Sequence, residues 1–129
     1  MRPKEELYRG TMEPVRSLAV DPEGRFLLLL GFESGKLYRL RLDVSPIPDP
    51  ELLYNTSTLP RLDYATGLFF CMHDGVRKCV VSEAGPGGLI QDGVMWTLLV
   101  DADNDGEFEG SELLTSQEFL TSSVESMYR

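Results

Sequence analysis

Short apolar runs alternate with tight polar turns along most of the chain, a pattern typical of antiparallel β-structure. A turn that ends in glycine occurs five times, at residues 22–24, 33–35, 73–75, 91–93 and 104–106. Asp-Gly and Ser-Gly turns supply the positive φ angles that β-hairpins require. Strand-like runs follow these turns at residues 25–31, 36–42, 76–82, 94–100 and 107–108. The sequence therefore predicts an antiparallel meander.

The clearest strands lie in the first half of the chain. Residues 15–20, 26–32 and 36–42 are joined by turns of a few residues, and residues 51–55 are predicted as a fourth strand. The run Phe26 to Leu30 shows no alternation, which indicates a strand covered on both faces at the centre of a sheet. The third strand alternates an apolar face with a basic one, so we expect it at or near a sheet edge.

The last residues show a different periodicity. After residue 112, apolar side chains recur at helical spacing, namely at Leu113, Leu114, Phe119, Leu120, Val124, Met127 and Tyr128. The sequence predicts a C-terminal helix over residues 113–128, weakened at residues 121–123, where hydroxyl side chains compete for backbone hydrogen bonds. We therefore expect one mainly β domain over residues 1–129, a small sandwich or barrel, or blade-like sheets, with a C-terminal helix.

The chemically most specific segment is the acidic loop, residues 101–112. It contains six carboxylates and neither lysine nor arginine. The carboxylates repel one another, so a compact loop is costly unless a cation lies inside. They are Asp101, Asp103, Asp105, Glu107, Glu109 and Glu112. Calcium accepts many oxygens in loose geometry, whereas magnesium keeps its waters and zinc prefers nitrogen and sulfur. The sequence predicts a calcium site, and the alternative is an acidic surface hairpin that binds nothing specific.

The acidic loop resembles the EF-hand calcium loop at its diagnostic positions. That resemblance implies side-chain ligands at Asp101, Asp103 and Asp105, a backbone carbonyl at Glu107, a ligand through water at Glu109 and a bidentate carboxylate at Glu112. The segment before the loop is β-like, so we expect strand, loop and helix rather than two helices. A similar Asp-x-Asp-x-Asp-Gly pattern occurs in calcium-binding hairpins of β-propeller proteins. A single such loop suggests a structural or weak site rather than a sensor.

Residues 15–55 also resemble one blade of a WD40-type propeller. They read strand, Asp-Pro-x-Gly turn, strand, Ser-Gly turn and strand, over about 40 residues. The terminal Trp-Asp signature is missing. A closed propeller needs about four blades, and this chain supplies two or three. If the resemblance holds, the chain is a fragment or closes by oligomerising, and otherwise it is an ordinary β domain, which we favour.

Charge and composition narrow the function classes. The net charge of -9 and the pI near 4.5 make a nucleic-acid backbone an unexpected partner. The longest apolar run is too short to cross a bilayer, so membrane insertion is not expected. Cys71 and Cys79 are expected as buried free thiols, and a disulfide between them is the alternative. If the hairpin between them has a two-residue turn, Cys71 would lie opposite Lys78 on the neighbouring strand. His73 is expected in solvent at a turn.

No constellation of nucleophile, base and oxyanion donors accompanies His73, so the sequence does not predict an enzyme. The first function hypothesis is a non-enzymatic calcium-binding β module in which the ion stabilises a strand, loop and helix. The alternative is a structural assembly subunit, for example a virion decoration or tail component, that self-assembles or binds protein partners and in which an ion is purely structural.

Overall fold

The computed structural model describes residues 13–32, 34–59, 62, 65–83, 95–122 and 124–128. Within this part of the chain, two antiparallel sheets form a mainly β fold, as predicted, and neither closes into a barrel. The first sheet has the order β1 (Val15–Val20), β2 (Phe26–Gly31), β3 (Leu37–Arg41) and β4 (Glu51–Tyr54). The second has the order β8 (Gly110–Thr115), β7 (Met95–Asp101), β6 (Val76–Glu83), β5 (Ala65–His73) and β9 (Val124–Tyr128).

The first sheet is the meander that the turn pattern predicts. Strand β2 lies between β1 and β3, and Leu28 and Leu29 are buried on its opposite faces. This confirms the prediction that the unalternating run forms a covered, interior strand. Strand β3 lies one position from the edge, because β4 pairs along its outer side. Its basic side chains, Arg39 and Arg41, share a face with buried Leu37.

The two sheets pack against each other through one apolar cluster. The first sheet contributes Phe26, Leu28, Leu30 and Leu37, and the second contributes Leu68, Phe70, Cys79, Val81 and Leu99. The rings of Phe26 and Phe70 meet edge to face, with 6.2 Å between their centroids. Such pairs add about 1 kcal/mol to the free energy of burial. This shared core fixes where the loops of the two sheets meet.

The predicted helix over residues 113–128 is wrong except in its middle. Residues 113–115 belong to β8, because Leu113 and Leu114 pair with Thr97 and Trp96 of β7. The helix α1 covers only Ser116–Thr121, with Thr115 as its N-cap, and β9 follows. Pairing with a distant strand therefore overrides the local helical spacing, while the predicted break at residues 121–123 coincides with the end of α1.

Helix α1 covers the outer face of the second sheet with one aromatic side chain. Phe119 is 2% exposed, and its ring lies 4.9 Å from Trp96 and 6.1 Å from Phe69, centroid to centroid. This second cluster also contains Cys71, Val80 and Leu98. No helix in the described part of the chain is long and apolar enough to cross a membrane.

The two cysteines lie on opposite faces of the second sheet. Asp74 and Gly75 form the two-residue turn with positive φ angles, and Cys71 pairs with Lys78, as that turn predicts. Cys71 belongs to the cluster under α1, whereas Cys79 belongs to the core between the sheets. Both are free thiols, and burial raises the pKa of Cys71 to about 11. The disulfide alternative therefore has no geometric basis.

Candidate metal site

The acidic loop connects β7 to β8, so it lies in a hairpin. Residues 102–109 lie between Asp101, the last residue of β7, and Gly110, the first of β8. We expected a strand, a loop and a helix, but the element that follows the loop is the strand β8. Residues 107–108, predicted to begin a strand, belong to the loop, and Phe108 packs against the core between the sheets. This arrangement is closer to the hairpin form of the Asp-x-Asp-x-Asp-Gly pattern than to a helix pair.

Asp101 organises the loop from its buried end. Its Oδ1 accepts a hydrogen bond from the backbone N–H of Asp105 at 3.1 Å, and its Oδ2 accepts one from Gly106 at 3.1 Å. Gly106 has a φ of 88°, and a Cβ at this position would lie 3.2 Å from Cε1 of Phe26. The backbone angle favours glycine here, and a Cβ would also require the Phe26 ring to move slightly. The loop is thus wrapped around one carboxylate and seated against the core.

The structure brings together the side chains of four of the six predicted ligand residues. One carboxylate oxygen from each of Asp101, Asp103, Asp105 and Glu109 lies within 4.8 Å of the others. Glu109 reaches back across the loop, and its Oε2 accepts a hydrogen bond from the N–H of Ala102 at 3.2 Å. The donor set consists of oxygen atoms, which hard cations such as calcium prefer. The four carboxylates could therefore hold a hard metal ion.

The electrostatics of Asp101 show the cost of this arrangement. Asp101 is 2% exposed, and burial raises the pKa of its carboxyl group. The nearby charge of Asp105 raises this pKa further. Hydrogen bonds from the backbone of Gly106 and Asp105 offset part of that cost. A buried carboxylate with a raised pKa gains most from a cation placed beside it, because the ionised form is the one that binds.

Asp103 and Glu109 are neighbours in the cluster, and each affects the pKa of the other. A hydrogen bond from Glu109 lowers the pKa of Asp103. Partial desolvation, followed by that same contact, raises the pKa of Glu109. Each of these two exposed carboxyl groups therefore makes ionisation of the other less favourable, and a cation between them would relieve that repulsion.

Glu107 and Glu112 point away from the cluster. The Glu107 carboxylate contacts two arginines of β3, at 3.1 Å from Arg39 Nη2 and 3.0 Å from Arg41 Nη2. The ligand expected at Glu107 is its backbone carbonyl, and the side-chain contacts leave that prediction open. Glu112 contacts the ammonium group of Lys78 on β6. The structure does not bring the Glu112 carboxylate to the four clustered carboxylates.

Cationic side chains in or next to the first sheet hold the loop in place. Arg25 Nη1 donates to the backbone carbonyl of Asn104 at 2.9 Å, and its guanidinium also pairs with buried Asp21. Arg39 Nη1 donates to the carbonyl of Gly106 at 2.6 Å. Part of the predicted charge repulsion is therefore relieved by the protein itself. Sequence reasoning missed these partners, and the basic face of the third strand was the one signal that could have indicated them.

Comparisons of the chain with protein-family models, curated proteins and solved structures found no match. The functional argument therefore rests on the residues and their geometry.

His73 is not in solvent, and that expectation is wrong. Its side chain is 2% exposed and stacks on Phe119, with 5.5 Å between the ring centroids. Its Nδ1 lies 2.9 Å from Lys78 Nζ, and its Nε2 lies 2.7 Å from Ser122 Oγ. The distant segment that forms α1 folds back over the turn, and no local signal in the sequence indicates this contact.

A shallow cavity of about 140 Å³ adjoins the loop. It is lined by Met72, Gly75, Arg77, Asp101, Ala102 and Asn104. The cavity lies between the loop and the β5–β6 turn, beside Asp101.

Proposed function

We propose that the chain is a non-enzymatic calcium-binding β module in which the ion stabilises the β7–β8 hairpin. The observation that carries the proposal is the convergence of four carboxylate oxygens within 4.8 Å, one of them on a buried aspartate. Asp101, Asp103, Asp105 and Glu109 would hold the ion. The backbone carbonyl of Glu107 stays a predicted ligand from the EF-hand resemblance.

The role of the ion follows from the position of the loop. The loop packs against Phe26 and accepts hydrogen bonds from Arg25 and Arg39. These three residues lie in or next to β2 and β3 of the first sheet. The loop extends from two strands of the second sheet. An ion that relieves repulsion within the loop would therefore also stabilise the contact between the sheets. The alternative, a structural assembly subunit with protein partners, stays a prediction from the sequence.

Isothermal titration calorimetry with calcium and with magnesium tests the proposal. We expect one site per chain, with calcium bound at least about tenfold more tightly than magnesium, because a loop of several carboxylates suits the larger, less strictly octahedral ion. Asp103→Asn should weaken calcium binding, and since Asp103 is exposed the variant should fold normally. Asp74→Asn removes the same charge from the turn of another hairpin in the same sheet and is the matched control.

Two results would contradict the proposal. One is wild-type protein that gives no calcium-dependent heat or stabilisation at millimolar calcium. The other is equal weakening by Asp103→Asn and Asp74→Asn, which would assign the effect to net charge rather than to a site.

A further inference from the structure

Asn55 begins a short sequence pattern that the candidate metal site does not involve. Asn55-Thr56-Ser57 fits the pattern Asn-x-Ser/Thr, in which x is any residue except proline and the asparagine accepts an N-linked glycan. A pattern this short also occurs by chance, so its structural context decides whether it can be used. A usable acceptor lies in a surface loop, and its amide nitrogen is free to form a new bond.

The structure places this pattern in an exposed turn. Strand β4 ends at the preceding residue, and residues 55–59 form a turn in which the N–H of Leu59 donates to the carbonyl of Asn55 at 2.8 Å. Thr56 and Ser57 are exposed, whereas Leu59 packs against the core between the sheets. The end of the turn is therefore held by the core, while the pattern itself lies in solvent, next to an edge strand of the first sheet.

The hydrogen bonds of the Asn55 side chain use its oxygen and leave its nitrogen available. Oδ1 accepts from the backbone N–H of Ser57 at 2.9 Å, from the Ser57 hydroxyl at 2.5 Å and from the backbone N–H of Thr58 at 3.2 Å. No described residue accepts a hydrogen bond from Nδ2, and that nitrogen is not buried. A new bond at Nδ2 would therefore keep all three of the hydrogen bonds to Oδ1.

Asn104, the other asparagine of the chain, shows the opposite arrangement. Its Nδ2 donates to Glu23 Oε1 at 2.5 Å, and its Oδ1 accepts from Arg25 Nη2 at 3.2 Å. The residue two positions after it is Gly106, so the pattern is missing there as well. The fold thus engages the amide nitrogen of one asparagine and leaves that of the other available for modification.

We propose that Asn55 is the acceptor of an N-linked glycan in chains that enter a glycosylating compartment. In this transfer, Nδ2 of Asn55 forms a bond to the anomeric carbon of an oligosaccharide, and the bond from that carbon to the phosphate oxygen of a lipid diphosphate carrier breaks. The amide nitrogen loses one proton, and the carrier leaves as its diphosphate. The glycan would lie at the end of edge strand β4, where a bulky polar group hinders pairing with a strand of another chain.

Expression of the full chain in cultured mammalian cells, behind an added signal peptide, tests the proposal. Peptide mass spectrometry before and after digestion with peptide N-glycosidase F locates the glycan, because the enzyme leaves aspartate in place of a glycosylated asparagine. We expect wild type to carry a glycan at Asn55 and Ser57→Ala to lose it, because the pattern then lacks its hydroxyl residue. Ser57→Thr keeps a hydroxyl at that position and should retain the glycan.

Thr58→Ala is the matched control for the turn. It removes a neighbouring hydroxyl that donates to the carbonyl of Asn55 at 3.0 Å, but it leaves the pattern intact, so the glycan should remain. Thermal unfolding of the purified wild type before and after digestion measures whether the fold accommodates the glycan. We expect midpoints within about 3 °C of each other, because the modified nitrogen takes part in no hydrogen bond of the described fold.

Four results would overturn the proposal. The first is wild type without a glycan at Asn55, in secreted and cell-retained chains alike. The second is a glycan at Asn55 that persists in Ser57→Ala. The third is equal loss in Ser57→Ala and Thr58→Ala, because the pattern would then not decide the modification. The fourth is a glycosylated chain that melts well below the digested one. None of these results bears on the proposed metal site.

Discussion

Millimolar calcium is expected to raise the midpoint of thermal unfolding of the wild-type chain by about 10 °C, and Asp101→Asn is expected to abolish that rise. An ion that binds only the folded state adds about 2.7 kcal/mol when its concentration is 100 times the dissociation constant. Asparagine keeps one oxygen for the backbone of the loop but removes the buried charge that the ion would meet. Circular dichroism melts in calcium and in EDTA measure the effect.

The behaviour of Asp101→Asn in EDTA separates ion binding from folding. Burial and Asp105 raise the pKa of Asp101, so its ionised form is unfavourable in the ion-free chain. The neutral variant avoids that charge but loses one of the two backbone hydrogen bonds that Asp101 accepts, so its midpoint in EDTA should be close to that of wild type, although it melts well below wild type in calcium. Asp74→Asn, in the exposed β5–β6 turn, should retain the full calcium response. A wild-type midpoint that is the same in calcium and in EDTA would contradict the proposed function.

Arg39→Met is expected to lower the free energy of unfolding by about 2 to 3 kcal/mol. Arg39 is 4% exposed and connects the first sheet to the loop through the carbonyl of Gly106 and the carboxylate of Glu107, and it also pairs with Glu51 of β4. Its removal leaves a buried carbonyl without its donor. The two carboxylates are partly exposed and can be rehydrated, which keeps the loss below that of a fully buried pair. Urea denaturation in EDTA measures the change.

Arg41→Met provides the matched control. Arg41 lies two residues along the same strand and contacts the same carboxylates, at 3.5 Å from Glu51 and 3.0 Å from Glu107, but it is 34% exposed. We expect its removal to cost less than about 1 kcal/mol, as for other exposed ion pairs. Equal losses for the two variants would show that the buried contact with the loop backbone does not fasten the sheets together.

Local patterns were sufficient to predict most of the strands. Residues 15–20 are both the predicted and the observed first strand, and the turn at Asp74 and Gly75 sets the register of β5 with β6. These features depend on neighbours within a few positions of the chain. The helix prediction failed where a distant strand decided the structure, because β8 pairs along β7 before α1 begins.

The candidate site was predictable in part for the same reason. The clustered carboxylates lie within nine consecutive residues, so their spacing alone indicated a common centre. The partners of the loop lie far away in the sequence, 79 positions for Arg25 and Asn104, and 34 for Lys78 and Glu112. No local sequence pattern indicates contacts between residues so far apart. The departure of Glu112 from the cluster therefore followed only from the fold.

A crystal structure of the wild-type chain grown in millimolar calcium tests the central claim most directly. The account predicts a strong density peak about 2.4 Å from carboxylate oxygens of Asp101, Asp103 and Asp105, with an anomalous signal consistent with calcium. Well-ordered side chains of these three residues turned toward solvent, with no peak between them, would contradict it.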